Sequence, residues 1–263
     1  MDTHEDLAGR VALVTGGSRG IGLAVARALV ERRVHVGLVA RTEADLASAA
    51  GQLEKLDAGK VRTATAELED PAQAVAAADR IASGLGPIDF LVSCAGRADS
   101  APFVRTELAA LQGLLNANLI TTWNAMQSVL PGMVKRGFGR VVNVASLAGM
   151  IGYRYVAAYC AAKHAVVGLT RAVALEVASA GVTVNAVCPG YVQTPMLERS
   201  LANIVAKTGR SREEALALLS KDNPQQRVLS PDEVAHVVLM LLGRDGRGIN
   251  GQALAICGGQ TAG

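Results

Sequence analysis

Aromatic side chains are scarce in this chain: three Phe, four Tyr and one Trp make up 3% of its 263 residues. A broad aromatic clamp around a ligand is therefore not expected. No stretch keeps about 18 apolar residues together, so no membrane-spanning helix is expected. The acidic start MDTHEDLAGR has no apolar segment of the signal-peptide kind, which points to a cytoplasmic protein without a membrane partner. Basic runs are missing too. The 26 basic and 23 acidic residues are scattered, and a formal charge of +3 without a cationic tract argues against a nucleic-acid partner. The cysteines Cys94, Cys160, Cys188 and Cys257 form no C-x-x-C pair, and His4, His35, His164 and His236 show no metal-ligand spacing. Reduced, mostly buried thiols and no metal site are the reading.

What the chain does have is apolar bulk, 50% of its residues, enough for one large core in a single domain spanning residues 1–263. Strand-length apolar runs alternate with longer helical patterns. The runs are RVALVT, HVGLVA, VRTATAE, IDFLVSC, GRVVNVAS, VTVNAVCP and QALAIC, starting at Arg10, His35, Val61, Ile88, Gly139, Val182 and Gln252. Seven strands separated by helices imply an α/β fold, a doubly wound parallel sheet with helices on both faces. The helical stretches include IGLAVARALVERR, EADLASAAGQLEKL, PAQAVAAADRIASGLG and a long one, TELAALQGLLNANLITTWNAMQSVLPGMVKRG. One segment breaks the alternation. Residues 196–226 are polar and helical between the sixth strand and the next helix, a candidate flap on the side where open α/β sheets bind ligands.

The first strand is followed at once by TGGSRGIG, in which Gly16, Gly20 and Gly22 precede a helix beginning near Ile21. Glycines at this turn let the backbone approach a pyrophosphate, and the helix N-terminus supplies N–H donors and a positive dipole end. Gly16, Ser18, Arg19, Gly20, Ile21 and Gly22 are thus candidate dinucleotide-binding residues. The end of the second strand selects between nicotinamide cofactors. A carboxylate there would suit the ribose 2′-OH of NAD, whereas a 2′-phosphate needs cations. The chain has Ala40 and then Arg41, with Arg19 within reach, and guanidinium groups grip phosphate through paired hydrogen bonds. NADP(H) is favoured; Glu43 and Asp45 leave NAD(H) open, although both suit the first turn of the following helix.

From the fifth strand onward the text carries chemistry. NVASLAG places Ser146 at a strand's carboxyl end, and AYCAAKHAVVG puts Tyr159 and Lys163 four residues apart, on one helix face. A phenol with a reference pKa near 10 exchanges protons poorly at neutral pH unless its phenolate is stabilised, and a neighbouring ammonium can do so. Tyr159 would then protonate a developing alkoxide as hydride arrives, with Ser146 holding the carbonyl oxygen by a hydrogen bond. In reverse, the phenolate would deprotonate an alcohol.

TGGSRGIG, SCAG, Asn118 within NANL, Ser146, Tyr159-x-x-x-Lys163 and CPGYVQTPM stand in the order and spacing of the short-chain dehydrogenase/reductase family, which the chain resembles over nearly its whole length. Its carboxyl half and the ending ICGG look most like ketoreductases of aromatic polyketide pathways and 3-ketoacyl thioester reductases. The resemblance implies a Rossmann-type fold, a homotetramer, and Asn118, Ser146, Tyr159 and Lys163 as the catalytic set. Asn118 would hold a water that relays protons to Lys163. Ala95 and Gly96 would lie by the adenosine ribose, and Pro189, Gly190, Val192 and Thr194 would flank the nicotinamide, with Thr194 bonding its carboxamide. The family's Asn-Asn-Ala-Gly reads Ser93-Cys94-Ala95-Gly96 here, and its Asp near the adenine is Glu67. The implied function is NADPH-dependent reduction of a ketone, on a small molecule or a CoA or acyl-carrier thioester. The alternatives are oxidation of a secondary or steroid-like alcohol and, more remotely, a non-catalytic dinucleotide-binding protein.

Overall fold

Five consecutive buried residues, Val11–Thr15, form β1, and a strand buried on both faces needs a layer of helices on each side. The computed structural model describes residues 7–262; the acidic start of the chain, with His4, lies outside them. Ala12 and Val14 point into one core with α1 (Gly20–Val30), α2 (Glu43–Glu54) and α9 (Pro231–Leu242). Val11 and Leu13 point the other way, toward α3 (Pro71–Leu85), α5 (Thr121–Arg136) and α6 (Ala157–Val177). The remaining strands are β2 (His35–Ala40), β3 (Val61–Thr65), β4 (Phe90–Ser93), β5 (Gly139–Val144), β6 (Val182–Pro189) and β7 (Ala253–Ile256).

All seven strands are parallel, in the order β3-β2-β1-β4-β5-β6-β7. This is the doubly wound, Rossmann-type sheet expected from the alternating runs. Thr15 lies level with Val39 on one side and Ser93 on the other, and Ser93 lies level with Asn143, so the carboxyl ends of β1, β2, β4 and β5 form one edge. Between β1 and β4 the winding reverses, which opens a crevice at that edge. Close approach sets the layer spacing elsewhere: a Cβ on Gly37 would sit 2.2 Å from Ile81, so α3 packs directly on β2.

One expectation is corrected. The long helical stretch is not a single α-helix; it is α4 (Leu108–Leu115), a π-helical turn over Asn116–Ile120, and then α5. After β6, α7 (Pro195–Thr208) and α8 (Arg212–Ser220) pack on each other through a small apolar cluster centred on Leu197, Leu201 and Ala215. Arg212 clasps Glu198 across them with two hydrogen bonds, of 2.7 and 3.2 Å. Among the described residues no helix is long and apolar enough to cross a membrane, and no group of three or more His, Cys, Asp or Glu could hold a metal ion.

Candidate active site

A cavity of about 450 Å³ opens at the crevice where the winding reverses. Its floor is knotted by Thr15, whose Oγ1 accepts from the N–H groups of Cys94 (3.1 Å) and Ala95 (3.2 Å), tying the loop after β4 to the end of β1. Gly16 turns with a φ of +63°, and a Cβ on Gly22 would stand 2.3 Å from the Gly16 carbonyl oxygen. Only glycine lets α1 start so close to the strand it follows. Asp70, Thr194 and Ser230 cap α3, α7 and α9 through their side chains, but Arg19 at the start of α1 makes no such bond. The first N–H groups of α1 are left for another acceptor, and Ser18, Gly20, Ile21 and Gly22 line the cavity.

At one end of this cavity the lining is exposed and charged. Arg41 leaves β2 there, beside Arg19 and Glu67, and all three are exposed. Arg19 Nη1 lies 3.9 Å from Asp45 Oδ2 with both side chains about half exposed. Glu43 and Asp45 stand in the first turn of α2, as their charge favours. Asp45 in addition faces Arg19, a contact that helix-start reasoning could not reveal.

The opposite end is buried. The π turn widens the helix at Asn118, whose side chain is fully covered and donates from Nδ2 to the carbonyls of Arg97 and Leu114, both at 2.9 Å. Its Oδ1 has no partner, an unusual cost for a buried acceptor. The position a Cβ would take on Gly96 lies 2.6 Å from Asn118 Oδ1 and 3.7 Å from Lys163 Nζ, so both groups converge where the chain lacks a side chain. Lys163, 5% exposed, donates to the Val144 carbonyl at 2.9 Å. Burial lowers it to about 8. Ser146 follows β5 and accepts from the Ala148 N–H at 3.1 Å, which fixes its hydroxyl at the mouth of a tight turn.

Tyr159 lies beside Ser146. Burial pushes its phenol up to about 12, with Ser146 acting in the opposite direction. Lys163 Nζ lies 5.8 Å from the centre of the Tyr159 ring and donates to a backbone carbonyl, so the two side chains share the same end of the cavity.

The cavity thus gathers the candidates Gly16, Ser18, Arg19, Gly20, Ile21 and Gly22 with Arg41 and Glu67. It also brings in Ala95, Gly96, Asn118, Tyr159, Lys163 and Thr194. Ser146 joins through Tyr159. Pro189, Gly190 and Val192 do not line it: Pro189 ends β6 beside Ile256, Gly190 donates to the Ile256 carbonyl at 2.9 Å, and Val192 is buried. Thr194 donates to the Val192 carbonyl (3.1 Å) and accepts from the Leu197 N–H (3.3 Å), so a carboxamide bound there would exchange with one of these. Among the wall residues that sequence reasoning did not single out are Arg97, Met196 and Arg199. The spacing of Met196 and Arg199 from Pro195 on one helix was the only available signal.

Residues 10–204 match the family model described as short chain dehydrogenase. D-beta-hydroxybutyrate dehydrogenase of Rhizobium meliloti is 32% identical over 255 residues, covering 96% of this chain and 99% of that protein. Acetoacetyl-CoA reductase of Allochromatium vinosum is 34% identical over 253 residues, covering 95% and 98%. The crystal structure of a variant of actinorhodin polyketide ketoreductase with NADPH superposes with a TM-score of 0.90 at 35% identity, covering 99% of both chains. Full-length similarity to oxidoreductases joins the crevice between β1 and β4, the partly buried Tyr159 and the buried Lys163 and Asn118 in one conclusion: the chain belongs to the short-chain dehydrogenase family and is an oxidoreductase.

Proposed function

We propose that the protein reduces the 3-keto group of an acyl thioester or polyketide-like substrate to a secondary alcohol with NADPH. The observation that carries this reading is a single cavity lined at one end by two exposed arginines and an uncapped helix start, and at the other by Tyr159 and Lys163. A relative named for acetoacetyl-CoA reduction and a similar ketoreductase structure holding NADPH support the substrate class and the cofactor.

The residues present fit such a dinucleotide. The first N–H groups of α1 would take its diphosphate, Arg19 and Arg41 a 2′-phosphate, and Glu67, Ala95 and Gly96 the adenosine. Thr194, which lines the cavity, would bond the nicotinamide carboxamide. Once bound, the reduced nicotinamide supplies hydride to the carbonyl carbon. Ser146, whose oxygen already accepts from Ala148, has its proton to offer the carbonyl oxygen. Tyr159, whose phenol burial favours in the protonated form, gives its proton to that same oxygen as negative charge develops. Lys163 and a water on the unpartnered Asn118 Oδ1 return a proton to Tyr159.

The α7–α8 segment serves as a flap over the substrate. Exposed apolar side chains on α4 and α6, Leu108 and Leu175, support assembly into a homotetramer. The cytoplasm, where CoA or acyl-carrier thioesters are available, is the compartment this reading requires. A second reading, oxidation of a secondary alcohol, draws on the relative named as a hydroxybutyrate dehydrogenase. It uses the same Tyr159, Ser146 and Lys163 in reverse, so the two readings differ in physiological direction rather than in residues.

Steady-state assays with acetoacetyl-CoA and either reduced cofactor test the proposal. Turnover with a lower KM for NADPH than for NADH is expected. Absence of turnover with both cofactors across several 3-ketoacyl thioesters overturns the substrate assignment.

A further inference from the structure

Helix α7 distributes its side chains in three directions. Leu197 and Leu201 fill the apolar cluster it shares with α8, and Glu198 is held by Arg212 of α8. Pro195, Met196 and Arg199 remain, and all three line the cavity. Pro195 and Arg199, four residues apart, share one helix face. That face is fixed against the glycine turn: a Cβ on Gly20 would lie 3.3 Å from the Thr194 side chain and 3.8 Å from Pro195 Cδ. Arg199 is exposed, and among the described residues it makes no ion pair. The neighbouring carboxylate on its own helix, Glu198, is committed to Arg212.

Arg199 therefore adds a cation to the cavity wall from the flap side, on the helix whose Thr194 and Pro195 pack against Gly20 at the uncapped start of α1. Two positive sources then line one cavity, between the end that would take the adenosine half of a dinucleotide and the end that would take its nicotinamide half. We infer that Arg199 is a binding residue for the diphosphate of the dinucleotide, and that through it occupancy of the crevice holds α7 and α8 in place. This rests on the NADP(H) reading above. Arg19 and Arg41 differ in kind: Arg41 leaves β2, and Arg19 lies 3.9 Å from Asp45 of the helix that follows, at the end of the cavity where a 2′-phosphate would separate NADPH from NADH. A diphosphate is common to both cofactors, so the two roles are separable by experiment.

The test is equilibrium titration of NADPH and of NADH, followed by the fluorescence of the bound nicotinamide, for the wild-type protein and for Arg199→Gln and Arg199→Lys. Loss of one charge-assisted contact is expected to raise the Kd of Arg199→Gln about tenfold for both cofactors alike, with Arg199→Lys in between. Because Arg199 takes no part in the flap's apolar cluster, the cofactor-free variants should unfold at the wild-type temperature, which separates lost binding from lost folding. NADPH should also slow tryptic cleavage at Lys207 and Arg210 in the wild type and much less in Arg199→Gln. An unchanged Kd for both cofactors overturns the inference, and so does a rise confined to NADPH, which would make Arg199 a reader of the 2′-phosphate. A wild-type protein that binds neither cofactor removes the NADP(H) reading itself, and this inference with it.

Discussion

Lys163 and Arg41 are cations on the wall of the same cavity, yet their surroundings have little in common. Lys163 is 5% exposed, its Nζ is fixed on the Val144 carbonyl, and withdrawal from water brings it down to about 8. Arg41 stands in solvent at the end of β2. The buried end of the crevice is built from backbone carbonyls and strand ends, and little there can move without disturbing the sheet. The exposed end is built from long charged side chains that can be exchanged one at a time. Substitutions at the buried end should therefore act on rate, and those at the exposed end on affinity and cofactor choice.

The largest expected effect is that of Tyr159→Phe, which removes the proton donor and leaves the ring. Its kcat should fall by about 10³, within the range for general acid catalysis, while the Kd for NADPH stays within about twofold. Equal losses in both would erase the distinction between the two ends. Next comes the pH profile. Between pH 8 and 10.5 the folded protein should carry a neutral Lys163 where the unfolded chain carries a charged one. The rate should fall through this window if the proton returning to Tyr159 comes from Lys163, so kcat/KM for reduction should decline above about pH 8. Stability moves oppositely: the unfolded state binds more protons there, so Lys163's contribution to stability rises with pH. A flat kcat/KM up to pH 10 would disconnect Lys163 from the proton route.

Smaller still is Arg41→Ala, expected to raise KM for NADPH about tenfold with little change for NADH, since only the 2′-phosphate loses a partner. The same rise for NADH would mean that Arg41 holds something other than that phosphate. Smallest is Arg212→Ala. Its clasp on Glu198 is exposed at both ends, about half for each side chain. Melting of the cofactor-free protein should shift by no more than about 2 °C.

The central strands of the sheet were legible because, buried on both faces, they read as nearly unbroken apolar runs, and the glycine turn because its spacing follows such a run directly. The π turn was not. Its five residues, Asn116–Ile120, keep the apolar rhythm of the helices on either side, and only an amide in a helix interior hinted at Asn118. Tyr159 and Lys163 were visible as a pair on one face, but not the preference of Lys163 for the Val144 carbonyl, which depends on β5 passing beneath α6. Arg199 was hidden for a similar reason: which of the three faces of α7 meets the crevice is decided by how α7 packs on α8 and on Gly20.

The most direct test of the central claim uses NADPH labelled with deuterium at the transferable position of the nicotinamide, acetoacetyl-CoA and the wild-type protein, with the product read by mass spectrometry. The expected product is a 3-hydroxy thioester one mass unit heavier, with the deuterium on carbon 3. Formation of an unlabelled alcohol, or consumption of NADPH without deuterium at that carbon, would contradict the account.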